Sequence, residues 1–574
     1  MLDHLIKSGT VIDGTGRPGV TADVGVRDGR IVAVGDVDEP ARETVDADGM
    51  LVTPGFIDPH THYDAQLHWD PGATPSNVHG VTSVISGNCG FTLAPLRSEE
   101  DADYLRRMMM KVEGMPLAAL EQGVDWNWHT FGDFLDQLDS KIAVNAGFLV
   151  GHCAIRRYVM GPDSVGNEAT PEQIDAMAKL LGESLEAGGL GLSTTLSRTH
   201  SDGDGQPVPS RWSTPEELVA LCRVVEQHAG TTLEGMTDGC LDRFEDKEIE
   251  LFIAMSAAAR RPINWNVLTV DSREASRVPH QLEADDRAQQ AGARIVALTM
   301  PVLVPMNMSF LTHCGLFLIP GWSDVLGLPV PERMEQLRKP EVRQRMREQS
   351  QAPEAGVFKR LADFPNYIIG DTYSAANEGL KERKVADIAA ERGTDPFSTL
   401  IDIVLADDLR TILWPIPPDG DDASWKLRQQ VWGDDRAMIG GSDAGAHLDR
   451  MCGAPYTTRF LGDTLRGRKL VSVERAVQLM TEAPAKLFGI RDRGRVVEGG
   501  HADLVVIDPD SVGAEHATLV HDLPGNTARL TAQSFGVSRV FVNGALTVVD
   551  GEATGALPGT ILRSGRDTDT VSTV

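Results

Sequence analysis

One pattern recurs through the middle of this chain: a capped amphipathic helix followed by a short apolar strand. Residues 170–173 combine an N-cap threonine, a proline at the first helical position and a glutamine three residues after the cap. Paired glycines at 188–189 end that helix, and the apolar segment 190–193 follows as a strand. Residues 214–217 then begin a second helix with a similar cap. Strands that alternate with helices in this way predict a parallel sheet.

Further strands are predicted along the chain at the intervals that such a fold requires. They are the segments 81–86, 146–150, 231–234, 262–268, 294–299 and 437–440. Roughly eight strand–helix units make up a (β/α)8 TIM-like barrel, which is therefore the α/β fold predicted for residues 54–490. Such a barrel places its functional side chains at the C-terminal ends of the strands.

The two ends of the chain predict a different structure. Asp28-Gly29 and Asn543-Gly544 each lie between apolar strand-like segments, which is a strong hairpin signal. We expect residues 1–53 and 491–562 to form one small β-sandwich domain, because chain termini commonly lie close together.

Two further segments depart from the alternating pattern. Between about 302 and 430 the chain is rich in charge and proline, which indicates an insertion before the last barrel strand. Residues 563–574 are expected to be a disordered tail.

Charge and cysteine content restrict the partners and the compartment. The formal net charge is −29, from 54 basic and 83 acidic residues, and such a surface repels nucleic acid and anionic membranes. The six cysteines lie far apart without a C-x-x-C motif, and the first residues lack the apolar core of a signal peptide. We therefore expect a cytoplasmic protein without nucleic-acid or membrane partners. Assembly into a homo-oligomer is compatible with the sequence.

Two histidines one residue apart, His60 and His62, follow an apolar segment and a Pro-Gly pair. Side chains two residues apart on a strand point to the same face, so the two imidazoles project together. Neutral imidazole nitrogens are typical ligands of catalytic metals. This spacing favours a metal site at the end of the first barrel strand over two unrelated surface histidines.

Three other strand ends carry groups of interest. Cys89 lies among glycines, which suits a thiolate ligand, although a lone cysteine is more often a small buried residue. Asp443 either begins a turn or binds the ion and accepts a proton from water. His152 is open to two interpretations, a hydrogen-bonded structural histidine and a substrate contact.

Several motifs together resemble the amidohydrolase superfamily. They are the segment 54–64, which reads PGFIDPHTHYD, the strand end 441–443 and the segments 481–490 and 499–508. The segments 87–90, 112–116, 151–152 and 191–194 resemble those of the N-acyl-D-amino-acid deacylase (D-aminoacylase) group. The resemblance covers nearly the whole chain in the right order. It implies the barrel, the composite β-domain and a zinc-dependent hydrolase.

The pattern of that group is present at four ligand positions, His60, His62, Cys89 and Asp443. It fails at the fifth and sixth strands, where the group has histidines. The corresponding segments here, 233–236 and 264–267, contain no histidine.

The second metal position therefore lacks its usual ligands. The fourth strand end, 191–194, supplies no lysine that could be carboxylated to bridge two metals. Met236 is a poor zinc ligand and Asn266 a weak, neutral one. We expect one zinc ion, in the first position, and no ion in the second.

A carboxylate-bearing small-molecule substrate would favour an arginine, whose planar fork binds such groups through two hydrogen bonds. Arg156 and Arg198 lie after strand ends and, with His152, are the predicted substrate-binding residues. Arg211 and Arg450 lie after strand ends as well. Most arginines serve as surface or ion-pair residues, so each interpretation has a structural alternative.

Three functional hypotheses follow. The first is a metal-dependent hydrolase that cleaves the N-acyl bond of an amino-acid-like compound, with Asp443 carrying the proton from water to the leaving amine. Four protein ligands would fill a tetrahedral zinc shell, so either the coordination expands or Asp443 sits loosely and acts mainly as a base. The second is a hydrolase of a cyclic amide, imide, lactone or carbamate. The third is a non-catalytic binding protein that kept the barrel.

Overall fold

The computed structural model describes residues 1–312 and 314–573, and in it the predicted alternation of strands and helices is present. The parallel strands pair in chain order in two runs, with Leu149 as the only residue between the third strand of the first run and the first of the second. The first run is Phe56–Asp58, Val81–Ser86 and Asn145–Phe148; the second is Val150–Gly151, Gly191–Thr195, Thr232–Met236, Ile263–Trp265, Ile295–Thr299 and Ala437–Ile439. The short strand Ile561–Leu562 departs from chain order, because it pairs in parallel with Asn145–Phe148.

All residues of the strands in these two runs except Ala437 are buried. These strands are called strands one to eight below, with 145–148 and 150–151 together as strand three. Helices separate them, and the two predicted caps are confirmed. Thr170 caps the helix Pro171–Glu186 in a capping box with Gln173, and the Thr214 side chain caps Pro215–Glu226.

The remaining helices lie between or after the strands. They are Gln66–Trp69, Glu99–Val112, Leu117–Gln122, Phe131–Leu138, His152–Met160, Asp238–Leu241, Asp246–Ala259, Arg277–Gln290, Asp422–Val431, Tyr456–Leu465, Val473–Met480 and Glu482–Phe488. No helix within residues 1–312 and 314–573 is long and apolar enough to cross a membrane.

A second sheet is built from both ends of the chain. Its strands are Leu2–Val11, Val20–Arg27, Arg30–Gly35, Ala41–Asp46, Leu51–Pro54, Leu504–Ile507, Val537–Val542, Ala545–Val549 and Glu552–Ala553. The two ends meet where Thr53 pairs with Val505 in an antiparallel register. Both predicted hairpins are confirmed, because Arg27 pairs with Arg30 and Val542 with Ala545.

The segment between strands seven and eight forms a smaller compact unit, Leu303–Trp425 together with Asp271–Arg273. It contains the helices Ser323–Leu326, Val330–Arg338, Pro340–Gln351, Val385–Arg392 and Pro396–Ala406, and the paired strands Tyr367–Ile369 and Leu413–Pro415. Its own apolar core includes Trp322, Phe364 and Phe397, so this segment folds around buried side chains of its own.

The expectation of a disordered tail from residue 563 is wrong. The Arg563 guanidinium pairs with Asp136, and the Thr568 hydroxyl donates to the carbonyl of Gly230 at 2.7 Å. The backbone N–H of Asp569 donates to Gly489 at 2.7 Å. Polar composition suggested disorder, but these contacts with distant parts of the chain order residues 563–573.

Candidate metal centre

The two histidines lie directly after strand one, where the sequence predicts them. His60 is 0% and His62 1% exposed, and their rings are 5.3 Å apart. Within the described chain, neither Nδ1 atom has a hydrogen-bond partner, although both are buried. Their Nε2 atoms are the ones that approach other polar side chains. Both rings therefore present Nε2 to one shared position.

Cys89 reaches the same position from the turn after strand two. Its backbone has φ 55° and ψ 18°, in the left-handed region that residues with a side chain rarely adopt. Its sulfur lies 3.7 Å from Nε2 of His60 and 3.8 Å from Oδ1 of Asn266. The thiol therefore faces the imidazole of His60 and is placed to act as a ligand beside it.

Asp443 comes from the loop after strand eight and is also in the left-handed region, with φ 54°. Its Oδ1 lies 3.3 Å from Nε2 of His60 and 3.7 Å from Nε2 of His62. Two backbone hydrogen bonds hold this loop against the histidine segment: Asp443 N–H donates to the His60 carbonyl at 3.3 Å, and His62 N–H to the Ala444 carbonyl at 2.7 Å. The first and last parallel strands therefore meet at the site.

The donor set fits a metal ion. The ligand atoms of His60, His62 and Cys89 all lie within 4.8 Å of one another, and all three residues are buried. Asp443 is beside both imidazoles without belonging to that three-residue cluster. Two imidazoles, a thiolate and a carboxylate are ligands that zinc accepts in proteins. Nε2 of both histidines, the Cys89 sulfur and Oδ1 of Asp443 face one another at one position, and a cation there would complete this set of ligands.

Two buried glutamates at the site were not predicted from the sequence. Oε2 of Glu113 lies 3.6 Å from Nε2 of His62, and the side chain is only 4% exposed. Glu234, on strand five, accepts a hydrogen bond from the backbone N–H of Cys89 at 2.8 Å. Glu113 lies within the segment 112–116 and Glu234 within 233–236, but no local sequence pattern marks either glutamate as part of the site.

The pKa of His62 and the pKa of Asp443 are both shifted below their ordinary values. Burial lowers the pKa of His62 to about 3, and its neighbour His60 contributes in the same direction. Burial also opposes ionisation of Asp443, but hydrogen bonding to His60 and the fields of His60, His62 and His447 outweigh it, so its pKa lies below the usual range. Asp443 is therefore ionised at neutral pH.

The other acidic groups behave in the opposite way. Burial raises the pKa of Glu234 to about 7, although His60 opposes the rise. Burial, followed by the carboxylates of Asp443 and Asp64, raises the pKa of Glu113 well above its usual value. Burial and the carboxylates of Glu234, Glu113 and Asp443 also raise the pKa of the Cys89 thiol. A cation is needed to stabilise the thiolate here.

The prediction that His152 and Arg156 bind substrate is not supported by their contacts. Nε2 of His152 lies 2.8 Å from Glu217, its Nδ1 lies 2.9 Å from Thr194, and all three side chains are buried. The Arg156 guanidinium pairs with the same glutamate and donates to the Asn167 carbonyl at 2.8 Å. Both ring nitrogens of His152 and both terminal nitrogens of Arg156 therefore have protein partners, as a buried ion pair requires.

The other arginines that follow strand ends, Arg198, Arg211 and Arg450, make different contacts. Arg198 is exposed, and only its backbone N–H has a described contact, with Asp238 at 2.6 Å. Arg211 donates to the carbonyl of His200 at 3.1 Å. The Arg450 guanidinium lies 3.2 Å from Nδ1 of His447, and its charge opposes the rise in the pKa of Glu113.

Gly114 makes room for Arg450. A Cβ atom added at Gly114 would lie only 2.0 Å from the Arg450 guanidinium, and the glycine has φ +58°. The neighbouring Glu113 accepts a hydrogen bond through its carbonyl from His447 N–H. The segment after the helix Glu99–Val112 therefore packs against the loop after strand eight, and Glu113 in that segment lies beside His62.

Parallel strands alternating with helices, with this ligand cluster at their C-terminal ends, define a TIM-barrel metal-binding domain, and the sheet of both termini adds a second domain. Residues 43–554 match the model of the amidohydrolase family, and the chain belongs to that family.

The similarity to relatives with named activities covers nearly the whole chain. The chain is 30% identical to D-aminoacylase of Alcaligenes xylosoxydans xylosoxydans over 98% of its own length and 97% of that protein. It is 29% identical to an N-acyl-D-glutamate deacylase from the same organism, over 98% and 96% of the two chains.

Two solved structures of deacylases also match this chain over nearly its whole length. A D-aminoacylase described by its binuclear metal centre, with one-metal activation and second-metal attenuation, shares 28% identity and a TM-score of 0.65, over 98% of this chain and 100% of the other. The N-acyl-D-glutamate deacylase of Bordetella bronchiseptica, in complex with zinc and a phosphonate inhibitor, shares 26% identity and a TM-score of 0.63 over the same fractions.

Proposed function

We propose that this protein is a zinc-dependent hydrolase that deacylates an N-acyl-D-amino acid or a close analogue. The observation that carries the proposal is the convergence of His60, His62 and Cys89 with the Asp443 carboxylate beside them. Relatives of nearly equal length are named for this deacylation.

The proposed ligands are the imidazoles of His60 and His62, the Cys89 thiolate and Asp443. A zinc ion held there would supply Lewis acidity, which polarises the amide carbonyl and lowers the pKa of water towards about 7. We propose a single ion. Met236 and Asn266 stand in the region where the D-aminoacylase group has histidine ligands, and neither side chain is a good donor for zinc.

Asp443 carries the proton in this mechanism. It is ionised because the neighbouring histidines favour its charged form, so it can accept a proton from the attacking water and return it to the leaving amine. It lies beside the imidazoles but outside the three-residue cluster. That position supports three tight ligands and a loosely held carboxylate that acts mainly as the base.

We propose an arginine as the anchor for the carboxylate of the substrate. Arg450 is the best placed, because it contacts His447 on the same loop as Asp443. The exposed Arg198 is the second candidate. Replacing either anchor by alanine should raise KM more than it lowers kcat, since a carboxylate contact persists from the ground state to the transition state.

The finer architecture is also a proposal. We propose that strands one to eight close into a (β/α)8 barrel over residues 54–490, with 302–430 as an insertion, and that residues 1–53 and 491–562 form a β-sandwich. Strand order and the hydrogen bonds between the loops after strands one and eight support closure. Six unpaired cysteines support a cytoplasmic location.

A substrate panel tests the proposed reaction. Zinc-loaded protein is incubated with N-acetyl-D-amino acids, their L-enantiomers and cyclic amides, and the free amine or acid is measured. We expect release of free D-amino acid, with little activity on L-enantiomers. Hydrolysis of the cyclic amides alone would favour the second hypothesis. Inactivity on the whole panel despite bound zinc would contradict hydrolysis of both substrate classes.

A further inference from the structure

Side-chain hydrogen bonds connect the turn 87–90, which carries Cys89, to the loop after strand one, to strand four and to strand five. Asn88 donates to the carbonyls of Thr61 at 3.1 Å and Ile85 at 3.0 Å. Ser193, on strand four, accepts from Gly90 N–H at 3.1 Å and donates to the carbonyl of Gly87. These hydrogen bonds link the loop after strand one and the end of strand four to this turn.

Strand five supplies the third contact, and it acts on Cys89 itself. Oε2 of Glu234 accepts the Cys89 backbone N–H at 2.8 Å. Cys89 has a left-handed backbone conformation that a residue with a side chain seldom adopts without support. This conformation directs the sulfur towards Nε2 of His60. The hydrogen bond from the Cys89 backbone N–H to Glu234 therefore stabilises the backbone conformation that orients the thiol.

Burying the Glu234 carboxylate costs free energy of folding, which suggests that this side chain is kept for a functional reason. The side chain is 0% exposed, and its second oxygen, Oε1, is buried without a hydrogen-bond partner in the described chain. A buried carboxylate normally requires several hydrogen bonds or a paired cation. A neutral residue would be less costly here, so stability alone does not explain the glutamate.

We propose that Glu234 is a positioning residue that holds Cys89 in its ligand conformation. Strand five carries no imidazole ligand, and it instead supports the ligand that strand two provides. This inference rests on the proposed metal site. The competing role for Glu234 is direct coordination of the ion through Oε1.

Three substitutions separate these roles. Glu234→Gln keeps an acceptor for the Cys89 N–H but removes the charge and the ligand strength of the carboxylate. Glu234→Asp keeps the carboxylate but withdraws it by one methylene. Glu234→Ala removes both. Glu248→Ala is the matched control, because Glu248 is a buried carboxylate that accepts the N–H groups of Gly239 and Glu245 elsewhere in the larger unit.

The measurement is made on protein loaded with Co²⁺ in place of zinc. The thiolate-to-cobalt charge-transfer band reports the Cys89–metal bond, and competition with a chromophoric chelator gives the Kd for Co²⁺. We expect wild-type band intensity and Kd for Glu234→Gln and Glu248→Ala. We expect a weakened band and a Kd raised about 10–100-fold for Glu234→Asp and Glu234→Ala, as for other residues that orient a ligand.

Two results would overturn the positioning role. One is loss of metal in Glu234→Gln to the same extent as in Glu234→Ala, which assigns the carboxylate as a ligand. The other is an unchanged band and Kd in both Glu234→Asp and Glu234→Ala. If instead the wild-type protein binds Co²⁺ without a thiolate band, the metal site itself is wrong, and both proposals fall together. Glu234→Gln and Glu234→Asp keep a polar side chain, so they provide the comparison if Glu234→Ala fails to fold.

Discussion

Oδ1 of Asp443 lies 3.3 Å from Nε2 of His60, although the two residues follow the last and the first of the parallel strands. Neither strand end carries a complete site alone. Backbone hydrogen bonds between the two loops, from Asp443 N–H to His60 and from His62 N–H to Ala444, fix their relative positions. The proposed chemistry therefore depends on the tertiary fold that brings these strand ends together.

Asp443→Asn should nearly abolish turnover. The amide cannot accept the proton of the attacking water, so we expect kcat to fall by about 10²–10⁴-fold, the usual contribution of a positioned acid or base. The side chain is 28% exposed, so the isosteric amide should leave the fold intact. Turnover and circular dichroism together check this.

The matched control for this substitution is Asp550→Asn. Asp550 is an exposed aspartate paired with Arg539 at 2.8 Å, and its amide variant should keep wild-type turnover. Wild-type activity in Asp443→Asn would remove Asp443 from the mechanism.

Zinc binding should release a proton from Cys89. Burial keeps the pKa of its thiol above the usual value, so the metal-free protein holds the thiol form at neutral pH, whereas zinc binds the thiolate. Affinity should consequently rise with pH. Titrating zinc into metal-free protein in a weak buffer with a pH indicator measures the protons released.

Cys89→Ala should release one proton fewer and bind zinc more weakly. Cys153→Ala is the control, because Cys153 is equally buried but lies 3.2 Å from the Ser210 hydroxyl and outside the ligand cluster. Equal proton release from wild type and Cys89→Ala would show that the thiol is not a ligand.

Glu217→Ala should destabilise the protein strongly. It leaves the buried His152 and Arg156 without their shared partner, and breaking a buried pair in this way costs about 3–5 kcal/mol. Denaturant unfolding measures the change. Glu226→Ala, which removes an exposed partner of Arg260, should cost about 0–1 kcal/mol. A small effect at Glu217 would reopen a substrate-binding role for His152 and Arg156.

The contribution of Glu217 should also depend on pH. Burial opposes its ionisation, but hydrogen bonds from His152 and the charge of Arg156 outweigh burial and lower its pKa below the ordinary 4.5. A group whose pKa is depressed by folding stabilises the protein above its unfolded pKa and loses that contribution as pH falls. The difference in unfolding free energy between wild type and Glu217→Gln should therefore be full above about pH 4.5 and shrink below it. A difference that grows on acidification would contradict this assignment.

Removal of residues 563–574 should lower the melting temperature. The deletion takes away the Arg563 pairs with Asp136 and Asp139, and the hydrogen bonds of Thr568 and Asp569 to the rest of the chain. Each buried hydrogen bond contributes about 1 kcal/mol net. Thermal unfolding of the truncated protein tests this, and an unchanged melting temperature would show that these contacts do not stabilise the fold.

Local sequence signals were sufficient for much of the fold. Helix caps act within three residues, so Thr170 and Thr214 could be read directly from the chain. Two-residue strand periodicity likewise aligned His60 with His62. Such signals do not depend on contacts with distant residues.

Long-range contacts could not be inferred in the same way. Glu217 lies on a helix for which the sequence predicts no role in the site, yet its carboxylate contacts both His152 and Arg156. Glu234 was overlooked because its role depends on a backbone N–H of the turn after strand two, which no sequence pattern marks. The same limitation led to the wrong prediction of a disordered tail.

The most direct test is a zinc titration followed by activity. Protein stripped with a chelator is titrated with Zn²⁺, and the release of free D-amino acid from an N-acetyl-D-amino acid is measured at each step. We predict no activity in stripped protein and a rise to a plateau at one zinc per chain, through the site of His60, His62, Cys89 and Asp443. Full activity in the stripped protein, or inactivity at one bound zinc, would contradict a single catalytic zinc.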